Sequence, residues 1–224
     1  MTGPDPQQAP AQIVLRPIAS PLALGFIGLA MATFALAGLE IGWIPSTERL
    51  LVGVIILSTA PPLQFAASVW GFLGRDESAA TGMGTLGAVW TCIGVVMLAN
   101  PHPTSTALGT FLLVGAGALA ISVVTALQSK VVVAVVMAAT AARWIVTALY
   151  QLTADPGLKH AAGAVGIALM LAGLYGAAAF ELEDVKRRAV LPTGRRGIGA
   201  DALSGRIDPQ LDRLSSEAGV REQL

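Results

Sequence analysis

Long apolar runs alternate with short polar connections along most of the chain. Each run is long enough to cross the hydrocarbon core of a bilayer, which takes about 20 residues of α-helix at about 1.5 Å per residue. The six runs cover residues 21–44, 48–73, 80–99, 107–128, 131–152 and 160–182. This pattern predicts an all-α membrane protein, a compact bundle of six transmembrane helices.

Polar segments flank the apolar part and divide the chain into three regions. Residues 1–17 are predicted to be a disordered cytoplasmic tail, rich in Pro and Gln at its start and without the basic and apolar regions of a signal peptide. Residues 18–184 form the six-helix transmembrane domain. Residues 185–224 form a polar cytoplasmic tail, in which Asp208–Pro209 is typical of the start of a short helix. This tail either binds a partner or is simply solvated, and its thin apolar face favours solvation.

The basic residues are distributed unequally between the two sides of the predicted bundle. An even number of spans places both termini on one side, and only Arg49 and Lys159 lie on the other. The positive-inside rule therefore predicts a multi-pass protein of the plasma (inner) membrane with both termini in the cytoplasm. The basic residues on the side of the termini are Arg16, Arg75, Lys130, Lys186, Arg187, Arg188, Arg195 and Arg196.

Composition excludes several classes of protein. The chain is 54% hydrophobic and 12% charged, which is far more apolar than an ordinary soluble domain. No nucleotide-binding motif, nucleic-acid motif or catalytic triad occurs, and the single cysteine, Cys92, cannot build a disulfide or a metal site alone. We therefore expect no enzyme activity, no catalytic residue, no cofactor, no metal and no nucleic-acid partner; the bilayer itself is the expected environment.

Small residues recur at helical spacing within the apolar runs, as at Gly25 and Gly28 or Gly163 and Gly166. In lipid, such residues let helix backbones approach closely. They predict tight packing within the bundle and self-association into a homo-oligomer. Direct contact with a substrate is the alternative use of these faces.

Two consecutive prolines, Pro61 and Pro62, interrupt the second span near its middle. Each removes a backbone donor, so the carbonyls of Leu57 and Ser58 lose their helical partners. The second helix is therefore predicted to bend or be broken at this step. With Ser58, Thr59 and Gln64 nearby, the break indicates either a polar lumen at mid-depth or a packing kink.

Arg143 is the exceptional charge, because it lies well inside the fifth span rather than in a connection. A lipid-facing arginine there costs at least a few kcal/mol, so the side chain should face the bundle interior. Glu40 is the best protein partner. Arg143 either locks two helices together, snorkels outward along its stem, or attracts a carboxylate in transit, with Thr140 one turn away on the same face.

The start of the first span carries a resemblance to a known family. Residues Ser20 to Leu29 resemble the Asn-Pro-Ala-Pro-Leu-Gly-Leu signature of the acetate uptake transporter, or acetate/succinate transporter, family. Similar residues recur at Gln64, at Leu86 to Trp90 and at Ala189 to Gly194. The resemblance covers about residues 16–194.

The resemblance implies both an assembly and a pathway. Members are compact six-helix proteins, generally hexamers with a pore in each protomer, and they carry acetate or related small carboxylates such as succinate, sometimes with protons. The positions that correspond to the family's cytoplasmic mouth are Ser20, Pro21, Leu24 and Gly25. Those of its narrow mid-pore girdle are Leu29, Leu86 and Thr140. The full predicted substrate pathway adds Gln64, Trp90 and Arg143.

The chain also departs from the family pattern. The family's Asn is Ser20 here, and the bulky aromatic groups of its girdle are replaced by Leu29 and Leu86, which indicates a wider pore. An acidic residue common near the end of the second span is Gly71. Arg143 is an addition to the pattern.

Two functions remain open from the sequence. The first is a membrane channel or transporter for acetate or a related small carboxylate, with a narrow hydrophobic girdle in each protomer. The second is a non-transporting scaffold or sensor that keeps the family fold and recruits a cytoplasmic partner through its C-terminal tail.

Overall fold

Six long helices build the structure, a computed structural model that describes residues 19–204. Every long helix is apolar enough to cross a membrane, and the helix ends differ by at most four residues from the predicted spans. The prediction of six spans is confirmed. The predicted helix at Asp208–Pro209 lies outside the described residues. The helices are α1 (Leu22–Ile41), α2 (Arg49–Leu73), α3 (Glu77–Ala99), α4 (Thr106–Leu127), α5 (Val131–Thr153), α6 (Pro156–Lys186) and the short α7 (Ile198–Ser204).

Side chains in the connections set the starts of three helices. The carboxylate of Asp76, the hydroxyl of Ser105 and the carboxylate of Asp155 accept hydrogen bonds from backbone N–H groups in the first turns of α3, α4 and α6. Such N-caps satisfy donors that the helix itself leaves unpaired. At the other end of α1, Gly42 adopts a left-handed backbone with φ of 84° and ends the helix.

The long helices form a closed ring. Each packs mainly on its neighbours in sequence, and α6 returns along α1. Between successive long helices, contact is sparsest from α3 to α4. We call the end of the bundle where residues 19 and 204 lie the inner end, and the opposite end the outer end. This arrangement gives the bundle an interior that all six helices can line.

Glycines permit the closest helix contacts, as the small-residue pattern predicts. A Cβ atom at Gly71 would lie 2.8 Å from the backbone nitrogen of Ala80, and one at Gly28 would lie 3.4 Å from the Cα atom of Ala60. The first contact joins α2 to α3, and the second joins α1 to α2. The glycine at position 71, one of the departures from the pattern that the sequence resembles, is therefore explained by packing.

The helix α2 runs continuously through Pro61 and Pro62, so the predicted break is absent. Proline dihedral angles are compatible with a helix, and the step lies where α1 packs closely, with Gly28 against Ala60 and Leu63. The hydroxyl of Thr59 donates to its own helix, 2.7 Å from the carbonyl oxygen of Ile55. This bond does not replace those lost at the Leu57 and Ser58 carbonyls, so packing against α1 is what supports the helix through the step.

After α6 the chain crosses the inner end as a strap, residues 191–196. The backbone carbonyls of Thr193 and Gly194 accept from the first N–H groups of α5, and the Tyr175 hydroxyl donates to the Pro192 carbonyl, 2.9 Å away. Glu183, which is only 1% exposed, accepts from the Thr193 hydroxyl and pairs with Arg195. The strap therefore joins α6 to the start of α5.

The substitution Gly71→Ala should destabilise the protein. The added methyl group would overlap backbone atoms of α3 at Ala80, which cannot move without shifting the helix. We expect the free energy of unfolding to fall by about 1–3 kcal/mol. Gly117→Ala is the matched control, since a Cβ there meets nothing within 4 Å. It should be neutral or stabilising by up to about 1 kcal/mol. Denaturant unfolding in detergent measures both, and equal stability of the two variants would contradict the packing argument.

Candidate functional site

A cavity of about 110 Å³ lies between the helix ends at the outer end of the bundle. For comparison, one water molecule occupies about 30 Å³ in the liquid. All six long helices contribute to its wall, as the ring predicts for a central space. We call it the outer cavity. Its lining side chains are those of Leu36, Leu39, Glu40, Ser46, Arg49, Ile93, Met97, Pro103, Leu108, Thr147, Tyr150, Gln151 and Lys159.

The outer cavity carries more positive than negative charge among its lining residues. Glu40 supplies a carboxylate, while Arg49 and Lys159 supply two cations. Arg49 is partly engaged, because its guanidinium donates to the carbonyl oxygens of Met97 and Asn100, at 3.1 and 2.7 Å. These bonds fix the start of α2 against the end of α3. The net charge makes the cavity suited to an anion.

Glu40 and Arg143 form a buried ion pair at the edge of the outer cavity. The Arg143 guanidinium donates to Glu40 Oε2 at 2.9 Å and to the backbone carbonyl of Ala162 at 3.0 Å. Arg143 is 1% exposed and Glu40 is 4% exposed. The predicted location of Arg143 inside the bundle and its predicted partner are both confirmed.

Two glycines of α6 make room for this pair. A Cβ atom at Gly166 would overlap the guanidinium of Arg143, and one at Gly163 would lie 3.1 Å from the Cβ atom of Glu40. The helix α6 packs between α1 and α5 in the ring. Because its two glycines have no side chains, Glu40 from α1 and Arg143 from α5 can contact each other at the surface of α6. Gly163 and Gly166 are therefore part of the ion-pair site.

Buried polar atoms continue from the outer cavity into the bundle. These atoms are buried and have no hydrogen-bond partner among the described residues, which normally costs about 1–3 kcal/mol each. In folded proteins such groups usually bind water or a ligand. Thr147 belongs both to this group and to the cavity wall. The atoms are hydroxyl oxygens of Ser20, Thr33, Ser122 and Thr147, the indole nitrogens of Trp90 and Trp144, and both side-chain polar atoms of Gln64.

The predicted girdle residues lie at one depth. Leu29, Leu86 and Thr140 are fully buried and lie 7 to 9 residues from the inner ends of their helices, about 10–14 Å. Gln64 lies at the same depth on α2. The hydroxyl of Thr140 donates to the carbonyl of Val136, 2.8 Å away, so its donor is already used. Two apolar side chains and two polar ones thus form a layer at this level.

A second layer lies about one turn farther out. Thr33, Trp90, Arg143 and Trp144 are 11 to 13 residues from the inner ends of their helices, or about 17–20 Å. All four are buried. This layer separates the girdle level from the outer cavity, and it contains an arginine and two indole donors.

The predicted cytoplasmic mouth lies at the start of α1. The backbone N–H of Ser20 donates to Asp184 at 2.7 Å, which ties α1 to the inner end of α6. Gly25 faces the side chain of Met83 on α3, leaving no room for a Cβ atom. Pro21 and Leu24 are half-buried.

The structure corrects two predictions about polar side chains. Ser58 is exposed and its hydroxyl donates to the Ile55 carbonyl at 3.1 Å, so it does not line a mid-depth lumen. Tyr150 lies near the end of the fifth span, where an amphipathic ring, like those of Trp43 and Trp70 near other span ends, is expected at the headgroup level. It instead lines the outer cavity. Trp43 and Trp70 are exposed, as a lipid-facing belt requires.

Several residues of the site carry little signal in the sequence. Thr33 stands alone in an apolar run, and nothing in its spacing shows which face of the helix it occupies. Trp144 follows Thr140 by four residues and Thr147 follows Arg143 by four, so helical spacing places both on the face of that pair. Arg49 and Lys159 enter the sequence argument only as outer charges. Their position on the same side of the membrane as Glu40 is the available signal.

Known proteins share this arrangement of helices. The GPR1/FUN34/yaaH family matches residues 3–192. The solved structure of the bacterial acetate channel SatP has a TM-score of 0.71 at 20% identity, covering 80% of this chain and all of that one. At this identity, the likeness shows a shared fold. No protein of curated function matches the sequence. The resemblance drawn from the sequence is confirmed.

Removing one member of the buried ion pair should destabilise the protein more than removing both charges. Arg143→Gln leaves the Glu40 carboxylate buried without its partner, and we expect a loss of about 3–5 kcal/mol. Combining Arg143→Gln with Glu40→Gln should restore part of this loss. A double-mutant cycle of unfolding free energies in detergent measures the coupling.

The control for this cycle is Arg188→Gln, an exposed position beyond α6, which should stay within about 0.5 kcal/mol of the wild type. A double variant whose loss equals the sum of the two single losses would contradict a stabilising pair.

Proposed function

We propose that this chain, which belongs to the GPR1/FUN34/YaaH family, carries acetate or a related small carboxylate across the membrane through the interior of each protomer. The observation that carries the proposal is the cationic outer cavity, which leads through the Arg143–Glu40 pair to buried polar atoms that have no hydrogen-bond partner in the described part of the chain. The protein of similar structure is an acetate channel, which supports the choice of substrate.

Attraction of the anion begins at the outer cavity. Arg49 and Lys159 outnumber the single carboxylate of Glu40. In a recess with low-dielectric walls, such an excess raises the local concentration of small anions. A carboxylate of two to four carbons matches the modest volume of about 110 Å³.

Beyond the cavity, the anion exchanges its water for protein donors. The indoles of Trp90 and Trp144 can only donate, and the hydroxyls of Thr33 and Thr147 donate or accept. Because all four are buried and have no hydrogen-bond partner within residues 19–204, they are available to a passing carboxylate or to water that accompanies it. Burying a polar solute costs less where its hydrogen bonds are replaced.

The girdle level supplies selectivity. Leu29 and Leu86 are apolar and fully buried, so hydrated inorganic ions gain nothing there that replaces their water. Gln64 offers an amide at the same depth. A weak acid that sheds its charge crosses such a level more easily than a permanent ion. The mouth around Ser20, Pro21, Leu24 and Gly25 then releases it.

A scaffold or sensor is the second candidate, and the docked strap is the observation in its favour. Residues 191–196 connect α6 to α5, so a partner that binds the following tail would act on the helix that carries Arg143. The two candidates differ in one property, because the scaffold requires no flux.

The assembly and its placement complete the proposal. Both termini lie in the cytoplasm of a plasma (inner) membrane protein, since most basic residues, including Lys130 and Arg195, cluster at the inner end. The outer cavity then opens away from the cytoplasm. A homo-oligomer, a hexamer by family resemblance, would cover part of the apolar surface of the bundle.

Purified protein in liposomes should take up labelled acetate faster than liposomes without protein. Uptake of acetate and of succinate, each with and without a pH gradient, tests the substrate class. Protein-free liposomes measure the passive crossing of acetic acid. Uptake equal to that background for every carboxylate would overturn the transporter and favour the scaffold.

Arg143→Ala should reduce acetate uptake by about tenfold or more, because a hydrogen bond to a charged group contributes about 1.5–3 kcal/mol and 1.4 kcal/mol is a factor of ten. Arg143→Lys keeps the charge and should lose less. Size-exclusion profiles confirm folding, and Arg188→Gln is the control. A folded Arg143→Ala variant with normal uptake would remove Arg143 from the pathway.

Narrowing the girdle should discriminate between substrates by size. Leu86→Phe places a larger side chain at the girdle level, and we expect succinate uptake to fall more than acetate uptake. Leu113→Phe on α4, a position 40% exposed on the outside of the bundle, is the matched control. Equal losses for both carboxylates would show that Leu86 does not set the width of the path.

A further inference from the structure

We propose that Glu40 is the proton donor that couples carboxylate movement to proton movement, with Arg143 as the alternating partner of Glu40 and of the substrate. The inference rests on the proposed function, because it assigns a mechanism to the same pathway. It requires a carboxyl group that can be reached from the outer side and a cation that is released when this group takes up a proton.

The geometry supplies both requirements. Glu40 lines the outer cavity, while Arg143 lies behind it and is only 1% exposed. The Arg143 guanidinium donates to Glu40 Oε2 at 2.9 Å and to the Ala162 carbonyl at 3.0 Å. When Glu40 is neutral, Arg143 still donates to the Ala162 carbonyl. No negative charge then balances the charge of the guanidinium. A substrate carboxylate is the group that restores neutrality.

The surroundings of Glu40 contain few other titratable groups. Around the outer cavity, α5 contributes Arg143 behind the wall and Tyr150 within it, α6 contributes Lys159, and α2 contributes Arg49. The parts of α3 and α4 that line the cavity are apolar, with Ile93, Met97 and Leu108. Glu40 is therefore the carboxyl group of this cavity, surrounded by cations that also attract the incoming anion.

The coupled step is a single proton transfer. A hydronium ion from the outer side protonates Glu40 and leaves a water molecule, and Arg143 then binds the substrate carboxylate. The O–H bond of the Glu40 carboxyl breaks as an O–H bond forms on the substrate, which gives the Glu40 carboxylate and a neutral carboxylic acid. Glu40 pairs again with Arg143, and the neutral acid crosses the apolar girdle level at Leu29 and Leu86. One proton and one carboxylate cross together without net charge.

Methanesulfonate tests this step in the wild-type protein. It resembles acetate in size and charge, but its conjugate acid is too strong for a carboxyl group to protonate it. It should compete with acetate at Arg143 and slow acetate uptake, without being taken up itself. Labelled methanesulfonate that enters proteoliposomes at a rate comparable with acetate would overturn the proposal.

Glu40→Gln tests the donor directly, since glutamine keeps the shape of the protonated side chain. Initial acetate uptake by the wild type, at a fixed anion concentration, should rise as the external pH falls, by up to about tenfold per pH unit. In Glu40→Gln, the acetate uptake that exceeds the protein-free background should no longer depend on the external pH. Any remaining flux should be carried by the anion and should respond to an imposed potassium diffusion potential, whereas wild-type flux should not.

Controls separate this mechanism from the proposed function. Glu48→Gln changes an exposed glutamate at the same end that is outside the cavity wall, and it should keep the wild-type pH dependence. If Glu40→Gln does not fold, the double variant with Arg143→Gln removes the unpaired charge. Its uptake should be lower, and the part that remains above the protein-free background should not depend on pH. Electrogenic wild-type uptake, or an unchanged pH profile in a folded Glu40 variant, refutes the coupling while leaving transport standing. Absence of any wild-type uptake refutes transport itself.

Discussion

A guanidinium in the middle of a membrane-spanning helix constrains the rest of the bundle. Removing a cation from water costs several kcal/mol even after the surroundings relax. The cost is offset here by the Glu40 carboxylate and the Ala162 carbonyl, which come from α1 and α6. The pair therefore requires that α6 return along α1 and pack between α1 and α5, which is the closure of the ring. Gly163 and Gly166 follow from the same requirement, since side chains there would occupy the space of the pair.

The helices and the ion pair are accessible from the sequence for simple reasons. Span length follows from bilayer thickness, so apolar runs fix the six helices to within a few residues. The depth of Arg143 follows from counting residues along α5. Its partner follows because Glu40 lies near the outer end of the first span, where few carboxylates compete. These are arguments about distance along a helix axis.

The sequence does not predict the rotation of each helix about its axis, which decides the side chains that face the interior. A membrane helix is apolar on its lipid side and on its packed side, so periodicity does not identify the inward face. Tyr150 is predicted at the lipid surface and lies in the outer cavity, while Thr33 has no sequence signal that shows its inward face. The continuity of α2 through Pro61 and Pro62 has a related origin, because it depends on packing against α1 that the local sequence does not show.

The depth of Arg143 relative to the girdle level has a physical consequence for transport. A transport pathway must bind its substrate well enough to admit it and weakly enough to release it. A free arginine at the level of Leu29 and Leu86 would hold an anion where nothing competes for it. One turn farther out, Arg143 already has a partner in Glu40. In the proposed pathway, an arriving carboxylate therefore replaces an existing interaction instead of filling an empty site. In the proposed pathway, the Glu40 carboxylate returns to the guanidinium once it has given up its proton, so the substrate stays bound only briefly. The apolar level remains free of fixed charge.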